Sequence, residues 1–157
     1  MTVVLRLNGE RCEASAEDAP RLIDLLRDRL GLTAAKIACE TGRCGACMTL
    51  IDGRPVNACL TPTWRLDGAD VVTPEGLDAI PEARIVRAAL AEENAFQCGY
   101  CAPGFVISLT ALFVASPEAG EDAIRAALAG NICRCTGYHS IMRAALNAGP
   151  RLAEARR

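Results

Sequence analysis

The chain has 157 residues, 51% hydrophobic and only 4% aromatic, with a net charge of −2, which is enough for one ordinary domain or two small ones. All but one of its 17 basic residues are arginines, scattered rather than clustered, so nucleic-acid binding has no electrostatic footprint. No apolar run reaches the roughly 18 residues that a membrane span requires.

Nine cysteines are many for this length. The count is odd, and the opening stretch from Met1 to Glu10 lacks the basic-then-apolar pattern of a secretion signal, which argues against a disulfide framework. The twin arginines Arg156 and Arg157 stand at the wrong end for an export signal. A reducing cytoplasm with metal-bound thiolates is the economical expectation.

Thr2 to Leu7 alternates weakly around valine and leucine, Asn8-Gly9 signals a hairpin turn, and Arg11 to Ala14 returns as a second strand. Cys12 sits in that return strand, far in sequence from the other cysteines, and reads as core packing before ligand. Arg21 to Leu30 then carries Leu22, Ile23, Leu25, Leu26 and Leu30 on one face at helical period. Pro20 suits the first helical position and Gly31 the stop.

The next stretch is Cys39-Glu40-Thr41-Gly42-Arg43-Cys44-Gly45-Ala46-Cys47, with Cys59 after eleven intervening residues. C-x4-C-x2-C with a later fourth cysteine is the plant-type spacing for a 2Fe–2S cluster. Four thiolates must reach the diiron core from different directions, so three come from one curled loop and one from a neighbouring segment. Gly42 and Gly45 stand where the loop must turn and where backbone N–H groups must approach sulfur. A structural zinc knot is the rival, but zinc sites pair C-x2–4-C hooks and only one such pair occurs here.

Met48 to Ile51, the Asp52-Gly53 turn and Arg54 to Cys59 make a second hairpin, which delivers Cys59 beside the loop. Asp70 to Thr73 reads as a last short strand. Two hairpins crossed by one helix predict a compact mixed sheet of the β-grasp kind. Trp64 could cover the cluster, but a place in the core or at an interface is the plainer account.

Two prolines and a glycine in residues 74–81 mark a linker, and the remainder of the chain is alanine-rich and helical. Helices are expected over Glu82 to Asn94, Pro103 to about Ala115, Glu118 to just before Gly130, and Ser140 to Ala153. The second is almost wholly apolar, too short for a bilayer and suited to the middle of a bundle. The fold class expected is therefore α+β. A plant-type ferredoxin-like β-grasp unit spans residues 1–76, and a four-helix bundle spans 77–157.

Cys98-Gly99-Tyr100-Cys101 lies just before one of these helices, and Cys133-Arg134-Cys135 lies between two. In an antiparallel bundle both sets can meet at one end. Alone, such a quartet suits zinc, a redox dithiol or iron–sulfur. Beside a plant-type loop in so short a chain, a second 2Fe–2S cluster is favoured, and eight ligands then account for every cysteine but Cys12. His139 is the only histidine, whereas a Rieske-type set needs two, so it reads as a helix-start residue. Tyr100 reads as packing. Arg134 and Arg43 either offset cluster charge or face water. No Ser/His/Asp arrangement, carboxylate pair or phosphate loop is present, which places any substrate chemistry elsewhere.

Three stretches resemble the iron–sulfur subunit of the molybdenum hydroxylases, the family of xanthine dehydrogenase, aldehyde oxidoreductase and carbon monoxide dehydrogenase. They are Cys39 to Cys47, Phe96 to Gly104, and Gly130 to Tyr138, in family order, and the resemblance covers nearly the whole chain. It implies one 2Fe–2S cluster in each unit, with Cys98, Cys101, Cys133 and Cys135 holding the one nearer molybdenum. Cys39, Cys44, Cys47 and Cys59 would hold the distal one, toward flavin. It implies that Gln97 hydrogen-bonds the pterin, a role that suits an amide offering both donors and an acceptor. It implies two partners, a large molybdopterin-binding subunit and a medium FAD-binding subunit, in a cytoplasmic heterotrimer. The function expected is one-electron relay between molybdenum and FAD or another acceptor. The rivals are a free-standing ferredoxin-like carrier and a structural zinc protein.

Overall fold

The structure is a computed structural model and describes residues 1–155; Arg156 and Arg157 lie outside the described residues. β1 (Thr2–Leu7) and β2 (Glu10–Ser15) pair antiparallel across Asn8-Gly9, whose φ values of 51° and 89° are both left-handed. The second hairpin joins β3 (Met48–Ile51) to β4 (Arg54–Asn57) through Asp52 and Gly53, at 51° and 77°. Left-handed backbone at both central positions matches the right-handed twist of the flanking strands. β5 (Asp70–Val72) runs parallel to β1 and antiparallel to β3, so the sheet order is β2-β1-β5-β3-β4. The mixed β-grasp sheet is the one expected.

The crossing helix is shorter than its periodicity predicts. α1 (Leu22–Asp24) continues as one widened π-helical turn, Leu25–Arg29, and buries Leu22, Ile23, Leu25 and Leu26. Pro20 lies before it rather than within it. Arg21 is still extended and bridges to Pro62, Leu22 N–H donates to the Thr61 carbonyl, and the Pro20 carbonyl accepts from Thr63. Those bonds hold the chain in sheet-like form until residue 22.

The stretch with a linker's composition is ordered. Pro74–Ala79 forms a 3-10 helix with Pro74 and Leu77 buried, packed on the next two helices. Its proline suits the first turn, and fully buried Leu77 anchors it. α2 (Pro81–Glu92) then packs on α3 (Ala102–Ala115) and α5 (His139–Ala155), and α4 (Glu121–Leu128) packs on the same two. α3 also lies against β3 and β4, which explains why it is apolar all round. α4 starts three residues later than expected, because Ser116 to Gly120 forms a turn first.

Two hydrophobic clusters result. One gathers Val3, Leu5, Leu22, Leu26 and Val71 under the sheet, and the other gathers the inner faces of α2 to α5. Met48 and Leu50 of β3 belong to the second, so the two cores abut across that strand. Trp64 joins neither. It is 55% exposed, with the Arg65 guanidinium 5.8 Å from its ring, so of the two places expected for it the core is corrected and the interface remains. Cys12 is half-buried on the edge strand β2, packed against the sheet core. Among the described residues, no helix is long and apolar enough to cross a membrane.

Candidate metal centres

Within the loop between α1 and β3, the stretch Cys39 to Cys47 is curled by three left-handed residues, Glu40 (φ 53°), Gly42 (74°) and Gly45 (71°). Gly45 must be glycine on steric grounds as well. A methyl there would come within 2.5 Å of the Gly130 carbonyl, whereas one on Gly42 would meet only the end of the exposed Leu60 side chain, which can move. Arg21 ties the loop to the helix, donating to both oxygens of Asp24 and, at 2.6 Å, to Glu40 beside Cys39. The Asn57 side chain holds the other end, its Nδ2 donating to the Gly42 carbonyl at 3.1 Å and its oxygen accepting from the Cys47 thiol.

These constraints bring four thiols together. Cys59 stands in the 3-10 turn Ala58–Leu60, and Ala58 N–H donates to the Cys47 carbonyl at 3.2 Å, which sets Cys59 beside Cys47. Cys39 lies within hydrogen-bonding reach of Cys44. The Thr41 N–H donates to Cys39 Sγ at 3.4 Å, and that bond foremost holds its pKa at about 6. Cys47 moves the other way: burial pushes it up to about 12, with the neighbouring Cys59 and Cys44 thiols adding to the effect.

The second group forms at the start of α3. Cys98 and Cys101 lie just before the helix, and Cys135 Sγ is 3.6 Å from Cys98 Sγ. Cys101 adjoins Cys133; burial, then this neighbour, pushes Cys101 up to about 12. Burial also acts to raise Cys133, but the Thr136 hydroxyl, donating to its sulfur at 3.1 Å, and nearby N–H groups bring it below the ordinary thiol value. Cys135 is raised by the adjoining Cys98. Gly99 and Gly137 turn the two segments with φ of 75° and 65°. Gln97, exposed, donates from Nε2 to the Cys135 carbonyl at 3.0 Å.

A cavity of about 220 Å³ is lined by Cys98, Cys101, Cys133 and Cys135, and by Cys44 of the first group. Among the described residues no three such side chains converge closely enough to hold a single ion, which suits a larger group. Burial and adjoining thiols raise Cys47, Cys101 and Cys135, hydrogen bonds already lower Cys39 and Cys133, and a bound cationic centre would draw all four members of a quartet into the thiolate form. That chemistry suits a 2Fe–2S cluster at each quartet.

The two groups are joined directly. Ile132 N–H donates to the Cys44 carbonyl at 2.9 Å, and Tyr100 donates its hydroxyl to the Ile37 carbonyl at 2.6 Å. Gly104 lies so close to Gly45 that a methyl there would strike the Gly45 carbonyl. Tyr100, expected as packing, is thus an exposed strut between the two halves. Arg43, Arg134 and His139 are exposed, and His139 opens α5 as expected.

Several supporting residues carry no signal of their role in the sequence. Tyr138, itself left-handed at φ 69°, accepts the Cys133 N–H at 2.9 Å. Thr136, Asn57 and Asn131 likewise brace ligand segments. Three of the four lie inside or beside the cysteine stretches, but nothing in residue type or spacing marks which hydroxyl or amide bonds backbone, sulfur or another side chain.

Comparison with known proteins gives two family matches. Residues 5–72 match the 2Fe–2S iron–sulfur cluster binding domain, and residues 73–146 match the [2Fe–2S] binding domain. The chain is 38% identical over 141 residues to the nicotinate dehydrogenase small FeS subunit of Eubacterium barkeri, covering 90% of each. It is 47% identical over 141 residues to a probable xanthine dehydrogenase subunit from Bacillus subtilis, covering 90% of this chain and 81% of that one. Among solved structures, quinoline 2-oxidoreductase from Pseudomonas putida 86 superposes with a TM-score of 0.88 at 31% identity, over 100% of this chain and 98% of that one. The aldehyde oxidoreductase of Desulfovibrio desulfuricans gives the same TM-score at 34% identity, but this chain, 98% covered, spans only 17% of it.

Proposed function

This chain belongs to the family of small iron–sulfur subunits of the molybdenum hydroxylases, and from that premise we propose that it relays single electrons from a molybdopterin centre through two 2Fe–2S clusters to FAD or another acceptor. Cys39, Cys44, Cys47 and Cys59 hold the distal cluster within a unit of residues 1–76. Cys98, Cys101, Cys133 and Cys135 hold the molybdenum-proximal one within residues 77–157. Each bound cluster supplies one-electron chemistry, so a two-electron oxidation on a partner is divided into single steps.

The protein's own residues position the thiolates and set their surroundings. Thr41 N–H and the Thr136 hydroxyl donate to ligand sulfurs, which favours the charged form and raises the readiness to accept an electron. Gln97, held by one N–H on the Cys135 carbonyl, keeps the rest of its exposed amide for the pterin. Substrate binds on a large molybdopterin-binding subunit, and a medium FAD-binding subunit completes a cytoplasmic heterotrimer. Exposed Ile132 and Tyr100 beside the proximal thiols, and exposed Leu60 and Trp64 after the distal ones, suit a subunit that is covered in its assembly.

The observation that carries this reading is the main-chain hydrogen bond that joins the two cysteine quartets' segments, Ile132 N–H to the Cys44 carbonyl. The test is anaerobic purification from native expression, followed by reduction and electron paramagnetic resonance. Co-elution with two larger subunits and two distinguishable signals are expected. A colourless zinc-loaded protein, a single signal, or a free monomeric carrier would overturn it.

A further inference from the structure

Asn131 lies in the segment leading from α4 to Cys133 and is only 3% exposed. All but one of its polar groups are held. Its main-chain N–H donates to the Leu128 carbonyl at 2.9 Å, closing the end of α4. Its main-chain carbonyl accepts the Tyr138 hydroxyl at 3.3 Å, and that oxygen in turn accepts the Cys133 N–H. Its side-chain oxygen accepts from the Ser108 hydroxyl of α3 at 2.8 Å, in a buried bond. The remaining group, Nδ2, is buried with no acceptor.

A buried amide N–H2 without a partner is destabilising, and a native protein that keeps one needs a reason. The reason lies in its neighbours. A methyl added to Gly45 would stand 2.6 Å from Nδ2, and one added to Gly104 would stand 3.3 Å from it. Two glycines thus clear a space for this amide where three segments meet: the Cys39–Cys47 loop, the start of α3 and the Cys133 segment. The next residue, Ile132, is the one bonded to Cys44. Ser108 holds the amide by its oxygen, which leaves Nδ2 on the side facing Gly45.

We propose that Asn131 is the positioning residue that sets the separation of the two cluster sites, its Nδ2 edge wedged against the Gly45 turn and its oxygen locked by Ser108. The wedge acts on the distance between the two ligand segments, and Asn131 is not itself one of the eight ligands. The inference rests on the two-cluster reading above.

The test uses the full chain, purified with whatever partners it retains, carrying Asn131→Ala or Ser108→Ala. Asn131→Ala removes the wedge, and Ser108→Ala keeps the amide but releases the oxygen by which it is locked. Iron content and the reduced paramagnetic spectrum are measured in each. The magnetic splitting between two reduced centres falls as the inverse cube of their separation, so it reads the distance directly. Full iron, unchanged signal positions and a changed splitting in both variants are expected. Splitting retained unchanged at full iron in both would overturn the proposal. If Asn131→Ala fails to hold iron, Ser108→Ala decides alone, and loss of iron from both would also overturn it by making the network one that merely folds the loop. If the unaltered protein shows fewer than two reduced signals, the two-cluster reading fails instead, and the outcomes remain distinct.

Discussion

Ile132 and Cys44 are 88 positions apart, yet the N–H of one donates to the carbonyl of the other at 2.9 Å. Each is bonded into a ligand segment, since Ile132 precedes Cys133 and Cys44 is itself a candidate ligand. The contact forms where neither backbone carries bulk, with Gly45 after Cys44 and Gly130 just before Asn131-Ile132. Close approach of the two loops is therefore written into glycine positions.

Gly45 and Gly99 separate the cost of strain from the cost of collision. Both are left-handed, at 71° and 75°, but a methyl on Gly99 meets nothing within 4 Å. Gly99→Ala should cost only the strain of left-handed backbone, about 1–2 kcal/mol. Gly45→Ala adds collisions with the Gly130 carbonyl and Asn131, and should cost about twice as much while depleting iron. Thermal unfolding and iron content of the two variants check the order, and equal behaviour would show that the loops can part freely.

Much of this arrangement is legible in the residues alone. Cysteine spacing, two left-handed hairpin turns and four helical periods each arise from local chemistry, and each falls at or near its expected place. Distant backbone contacts do not. Pro74–Ala79 has a linker's composition because its residues break regular structure, whereas buried Leu77 binds it to the bundle. The start of α1 departs from its periodicity because Arg21 is held extended by Pro62, a partner 41 residues away. Asn131 acts through a side-chain amide bonded to another segment and Tyr138 through a hydroxyl bonded to backbone, and such partners leave no mark on residue type.

Leu77 provides the sharpest contrast between a linker and a packed segment. Its side chain is fully buried in the C-terminal cluster. Leu77→Ala should destabilise the protein by about 2–5 kcal/mol, the range for a buried leucine whose cavity cannot collapse. A flexible linker would give nearly no change, and a melting curve distinguishes them.

Cys12 is the ninth cysteine, half-buried on the edge strand and raised in pKa chiefly by burial. Cys12→Ala should leave iron content unchanged and cost about 1 kcal/mol or less, since little surface is uncovered. Cys98→Ser should instead remove one reduced signal and leave the other. Iron lost on replacing Cys12 would mean that the set of eight is miscounted.

Arg21 links the crossing helix to the distal loop, and its partner Asp24 gives that link a pH dependence. The guanidinium hydrogen bonds hold the Asp24 carboxyl below its ordinary value of 3.8, with burial opposing. A carboxylate whose folded pKa is depressed contributes stability that is complete above its unfolded pKa and is lost as pH falls through the folded one. The contribution should thus be whole at neutral pH and fade below about pH 4. Asp24→Asn should cost about 1 kcal/mol near neutrality, where the pair is partly screened by water, and nothing once Asp24 would be protonated. Apparent melting temperatures of both proteins, followed from pH 7 downward, should therefore converge in acid. A gap that stays constant with pH would mean that charge at this site contributes nothing to holding the loop.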